Sequence, residues 1–170
     1  PQGVTRLAFV GGSYVMGSGV SNEENFAALI ENKLNKNIEV LNYGVGGYFV
    51  IQNTFVAVHK VPVCKPDYLF FFIHSNYRAR CLDNFATLLL KGTTITTPYL
   101  TDIAENAGIK KGMCHLEIYN RLKPHIDEII EWSYRSILES CVQGNCKTSV
   151  KVPVLVYLPA NANLKKDEDK

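Results

Sequence analysis

Leu7-Ala8-Phe9-Val10-Gly11-Gly12-Ser13 is the stretch on which the fold turns. Four apolar residues in succession have strand length, two glycines end the run, and a serine stands at the turn that follows. A loop to Gly19 separates this strand from Phe26, Leu29, Ile30 and Leu34, which recur as one face of a helix. Ser21 with Glu24 three residues later forms a capping-box pattern, which places the helix start at Ser21. The order is strand, loop, helix.

The next segments keep that order. Ile38-Glu39-Val40-Leu41-Asn42 is a second short strand, ended by Tyr43-Gly44-Val45-Gly46-Gly47-Tyr48, and a helix is expected from about Val50 to Lys60, stopping before Pro62. Tyr68-Leu69-Phe70-Phe71-Phe72-Ile73 is apolar on both faces, as a central strand of a parallel sheet must be. Alternating strands and helices with glycine-rich turns after the strands imply an α/β fold with right-handed crossovers.

Beyond Asn76 the pattern weakens. Residues 76–112, with Gly92, a threonine-rich stretch and Pro98, read as an irregular lid or insertion holding one short helix near Tyr99 to Ala107. Tyr119, Leu122, Ile126, Ile129, Ile130 and Ile137 mark one long amphipathic helix with Pro124 near its first turns. Val152 to Leu158 is the fourth strand, and a charged tail runs from Lys165 to Lys170. With 170 residues, 1–170 is expected to form a single domain.

Composition narrows the function classes. The chain is 46% hydrophobic and 20% charged, which supplies a core and argues against intrinsic disorder. A net charge of +2 leaves no basic stripe for a phosphate backbone, so nucleic acid is not the expected partner. No apolar run approaches the length of a membrane helix. The N-terminus has neither signal-peptide anatomy nor an initiator Met, so a removed leader or a longer parent chain is expected. An odd five cysteines at irregular spacings favour free thiols in a reducing cytoplasm; Cys141 and Cys146 enclose a turn that a disulfide could close. No Cys-x-x-Cys motif points to a zinc site, and no metal is expected.

In an open parallel sheet ligands bind at the carboxyl ends of the strands. The turns there are Gly11-Gly12-Ser13-Tyr14, Asn42 to Gly47, and His74-Ser75-Asn76-Tyr77. They would gather Ser13, the backbone N–H of Gly47 and the side-chain amide of Asn76. A serine on a tight strand-to-helix turn is a candidate nucleophile, and nearby N–H donors stabilise an oxyanion. Each residue alone also has the plainer role of a turn former.

On these residues the chain resembles the SGNH (GDSL-like) hydrolases: Arg6 to Ser13 for the first block, Asn42-Tyr43-Gly44-Val45-Gly46-Gly47 for the second and Ser75-Asn76 for the third. The resemblance implies a three-layer α/β/α, flavodoxin-like fold with a mostly parallel sheet. It also implies an acyl group cleaved from or transferred on an ester through an acyl-Ser13 intermediate. Ser13 would be nucleophile, and its own N–H, that of Gly47 and the Asn76 side chain would form the oxyanion hole. The substrate would be a small-molecule or carbohydrate ester, with no cofactor.

Three departures stand beside the resemblance. Gly11-Gly12-Ser13 replaces the usual Gly-Asp-Ser, and Tyr77 replaces the acid after the third-block Asn. The family's Asp-x-x-His is absent, and His59, His74, His115 and His125 all lack an Asp three residues earlier. His74 and Tyr77 are candidate substrate contacts, and His74 is a conceivable substitute base. A serine without a base is a poor nucleophile at neutral pH, so an inactive domain that binds a carbohydrate or protein partner is the alternative. Gly12 to Ser18 has P-loop glycine spacing but no Lys after Gly17, and Asn42 stands where a dinucleotide site needs an acid. The Val152 to Leu158 strand is apolar on both faces, so its outer edge is expected to pair with a further segment or with a second copy.

Overall fold

The computed structural model describes residues 3–34, 37–142 and 152–159. Four strands, β1 (Thr5–Gly11), β2 (Ile38–Gly44), β3 (Tyr68–His74) and β4 (Val152–Leu158), form one sheet in the order β2-β1-β3-β4. Every pairing is parallel, with Gly11 opposite Gly44, Val10 opposite Phe71 and His74 opposite Leu158. The fold is α/β and flavodoxin-like: chain order places the second strand outside the first and the third and fourth on its other side.

Alternation along the strands divides the core between the two faces. Ala8, Val10, Leu69, Phe71 and Ile73 point to one side, where Val56, Ala57 and Val61 from α3 (Val50–His59) and the turn after it, with Ile137 from α7 (Ile126–Val142), cover them. Phe9, Phe70 and Phe72 point to the other side, against Val15, Ala27 and Phe26. Helices therefore lie on both faces, and both faces must be apolar.

The segment expected to be an irregular lid is instead the centre of a second core. Residues 77–90 form α4 (Tyr77–Leu90), and α5 (Pro98–Asn106) follows. Cys81, Leu82, Phe85 and Ala86 of α4 are buried with Leu100, Ile103, Ile118, Leu122 and Ile129. Side chains buried this completely belong to the stable part of a fold and not to a mobile lid. The single long helix is two: α6 (His115–Leu122) ends in a 3-10 turn over Lys123–His125, and α7 begins after it. Pro124 lacks the N–H that a continuous helix would need there.

Two further boundaries differ. The loop after β1 contains a four-residue helix, α1 (Ser13–Met16), and α2 spans Phe26–Leu34, not Ser21 onward. Ser21 N–H does donate to the Glu24 carboxylate at 3.2 Å, and that bond holds the carboxyl below its usual range. It closes a turn ahead of the helix. Of the α2 stripe, Leu29 and Leu34 are exposed and Ala27 is the buried residue. Cys146 lies outside the described residues, and with it the question of its pairing with Cys141.

Candidate active site

Ser13 is the first residue of α1, one residue beyond the extended Gly12 (φ −84°, ψ −150°). Three glycines let this turn lie against the sheet. A Cβ on Gly11 would overlap Val15 Cγ2 and stand 3.1 Å from Phe72 Cβ, one on Gly12 would stand 3.0 Å from the Tyr48 carbonyl oxygen, and one on Gly44 would overlap the backbone of Val15 and Met16. Val45 N–H also donates to the Gly11 carbonyl oxygen at 3.0 Å, so the ends of β1 and β2 stay joined beyond their ladder.

A helix of four residues cannot satisfy its own terminal carbonyls. Two asparagine side chains do so here. Asn42 Nδ2 donates to the Val15 oxygen at 2.8 Å while its Oδ1 accepts the Gly44 N–H at 2.8 Å. Asn25 Nδ2 donates to the Met16 oxygen at 2.8 Å while its Oδ1 accepts the Ala27 N–H at 2.9 Å. Asn25 is buried, and Gly17, left-handed at φ 83°, turns the chain out of α1 beside it. The sequence marks Asn42 only as the end of a strand and gives no sign of Asn25.

Gly47 follows β2 with φ +80° and open space where a Cβ would be. Conformation and not crowding asks for glycine at this position. Asn76, two residues past β3, is also left-handed (φ 67°, ψ 10°), one of two non-glycine residues with positive φ among those described. Asparagine tolerates that region better than most residues. Although Asn76 is the residue before α4, its side chain makes no capping bond to the helix. Its exposed amide is thus not consumed by local structure.

His74 ends β3 with its ring between two aromatic neighbours, Tyr14 at 5.9 Å and Phe49 at 6.3 Å, both edge-on. Its Nδ1 bonds to the Ser75 carbonyl oxygen. A carbonyl only accepts, so the proton sits on Nδ1 and the lone pair of the neutral ring on Nε2. Tyr14, His74, Ser75, Asn76, Arg80, Leu158 and Pro159 line a cleft of about 350 Å³ at this end of the sheet. Ser13 stands exposed immediately before Tyr14.

Tyr77 is elsewhere. It packs against both core clusters on the α3 and α7 side of the sheet and is not in the cleft wall, so the expected substrate contact is a packing residue. The described histidine–carboxylate pairs, His115 with Asp83 at 3.4 Å and His125 with Glu128 at 3.2 Å, are on helices and do not involve Ser13. Among the described residues no cluster of His, Cys, Asp or Glu could hold a metal, and no helix is long and apolar enough to cross a membrane.

No family model and no curated protein matches the chain. Among solved structures it is similar to the SGNH-hydrolase family esterase AlinE4, at 16% identity over 75% of this chain and 73% of that one, with a TM-score of 0.39. It is also similar to a member of the lipolytic G-D-S-L family from Veillonella parvula DSM 2008 (14% identity, 74% of each chain, TM-score 0.39). A third is a two-domain esterase, CEX, active on acetylated mannans (14%, 75% of this chain and 49% of that one, 0.39). The chemistry of the site has to be read from this chain's own residues.

Proposed function

We propose that the chain is a serine esterase or O-acyltransferase unit of the SGNH type. Ser13 Oγ attacks the carbonyl carbon of an ester, and its proton passes to a base. The carbonyl oxygen becomes an oxyanion that accepts from the N–H groups of Ser13 and Gly47 and from the Asn76 amide. Collapse expels the alcohol, which takes up the proton, and water or a second alcohol then removes the acyl group from Ser13.

One observation carries this proposal. Ser13, Gly47 and Asn76 follow three strands that are neighbours in the order β2-β1-β3, all at the carboxyl end of a parallel sheet. The uncommitted side chain of Asn76 on a left-handed backbone adds to it, because such strain persists where the surrounding structure or the function requires it. His74 is the described histidine in the cleft, and Nε2 is its basic nitrogen.

The partner of His74 Nδ1 is a carbonyl, not a carboxylate, and this favours a second possibility. A serine hydrolase base gains from a carboxylate that holds its ring and stabilises the imidazolium, and His74 has a carbonyl in that place. The same cleft would then bind an ester or carbohydrate without turning it over. A fluorophosphonate probe separates the two: covalent labelling of Ser13, mapped by peptide mass, supports the hydrolase, and a cleft that binds ligand but leaves Ser13 unlabelled supports the binding domain.

A further inference from the structure

The arginines of this chain are nearly all engaged. Arg6 pairs with Glu39 at 2.6 Å, Arg78 with Asp127 and Arg135 with Glu131, and Arg121 donates to the carbonyl oxygens of Ala107 and Gly108. Arg80 is the exception. Among the described residues no carboxylate or carbonyl oxygen accepts from it, and its guanidinium lies over the Phe49 ring, 5.9 Å from the centroid. Arg78, two residues earlier on the same helix, shows that α4 has a carboxylate within reach on another side. Asp83, one turn further on, faces His115.

Arg80 also belongs to the wall of the cleft that contains Asn76 and His74. No acidic side chain contributes to that wall. The cleft therefore offers one positive charge with its donors unspent and no acid in its own wall, the nearby Asp83 on the same helix being paired with His115. Stacking on Phe49 limits the freedom of the side chain, so less entropy is lost when an anion is bound.

We propose that Arg80 is a specificity residue that binds an anionic group on the substrate, a carboxylate in the first instance, so that the preferred ester carries a negative charge away from its scissile carbonyl. This rests on the cleft being the ester site, and a charge-assisted, bidentate bond would fix the far end of the substrate while the ester group lies at Asn76.

Two measurements on the full chain decide it. Isothermal titration compares glutarate with glutaramide, which share length and differ in charge. Glutarate is expected to bind about tenfold more tightly, a ratio that corresponds to about 1.4 kcal/mol, that falls to about one in Arg80→Gln and that Arg80→Lys partly restores. The second compares kcat/KM for the mono-p-nitrophenyl ester of glutarate with that for p-nitrophenyl pentanoate, and the same loss of preference is expected in Arg80→Gln. Equal binding of the two ligands, binding of neither, or a preference that Arg80→Gln leaves unchanged overturns the assignment. A preference for glutarate that depends on Arg80 in a chain without turnover supports Arg80 and overturns the hydrolase instead.

Discussion

Asn42 and Val15, 27 positions apart, are joined by a 2.8 Å hydrogen bond from the Asn42 amide to the Val15 carbonyl oxygen. This bond ties the last turn of α1 to the end of β2, and Asn25 ties its other free carbonyl to the start of α2. Ser13 thus sits at the head of a helix too short to hold itself, kept in place by two side-chain amides.

Removing the Asn42 amide should consequently affect both folding and rate. Asn42→Ala takes away the Gly44 N–H acceptor and leaves the Val15 oxygen only the longer 3.4 Å bond from Asn25, which costs about 0.5–1.5 kcal/mol in urea unfolding. Asn42→Asp keeps the acceptor for Gly44 and loses the donor to Val15, so its unfolding midpoint should lie between wild type and Asn42→Ala. Both variants should slow fluorophosphonate labelling of Ser13. A labelling rate equal to wild type in Asn42→Asp would show that the bond does not orient the serine.

Ser13→Ala tests the nucleophile directly. The side chain is exposed and small, so thermal unfolding should stay within about 0.5 kcal/mol of wild type while ester turnover and probe labelling disappear. Turnover at the wild-type rate would remove Ser13 from the mechanism.

At Asn76 backbone and side chain can be separated. Asn76→Ala forces a Cβ residue other than asparagine into the left-handed region, which costs about 1 kcal/mol, whereas Asn76→Gly relieves that strain. If the amide donates to the oxyanion, both should lose about 10²–10³ in kcat with little change in KM. A loss seen only in Asn76→Ala would trace the effect to the backbone, and a change confined to KM would make Asn76 a binding residue.

The parts of this molecule that were legible in its sequence are those whose determinants are local. β1 and β3 announce themselves because uninterrupted apolar residues end at Gly11 and His74, and the end of α3 because Pro62 stops the segment. Helix α4 was hidden because its buried stripe is made of Cys81, Leu82, Phe85 and Ala86, two of them small, between the charged Arg78, Arg80 and Asp83. Ser21 and Glu24 form half of a cap, but it closes a turn, since Asn25 and not Ser21 supports the first turn of α2. Ser13, Gly47 and Asn76 could be named because turns follow strands. The Asn25 and Asn42 clamp could not, since its bonds cross 9 and 27 positions and leave no periodic trace. The open charge of Arg80 becomes visible only when the partners of the other arginines are known.

The last prediction concerns the edge of the sheet. β4 pairs with β3 through Tyr68 to His74, and no described strand pairs with its other side. Phe71 and Leu155 are opposite one another in that ladder and share a face, yet Phe71 is 2% exposed and Leu155 is 52% exposed, with Tyr157 at 55%. Helix α7 covers β3 and leaves part of the neighbouring strand open, in an apolar groove lined by Tyr134, Ile137, Leu138, Pro153 and Leu155. A strand edge with apolar side chains beside it recruits other strands, and Pro153, which has no N–H, shortens the free row without closing it. The expected occupant in solution is the same edge of a second copy. Sedimentation velocity across a hundredfold concentration range should show the mass rising toward a dimer. A double substitution, Leu155→Lys with Tyr157→Lys, should hold the chain monomeric, because two like charges on each copy would face each other across the pair. The wild-type chain remaining monomeric at every concentration would mean that this edge is not an interface between copies.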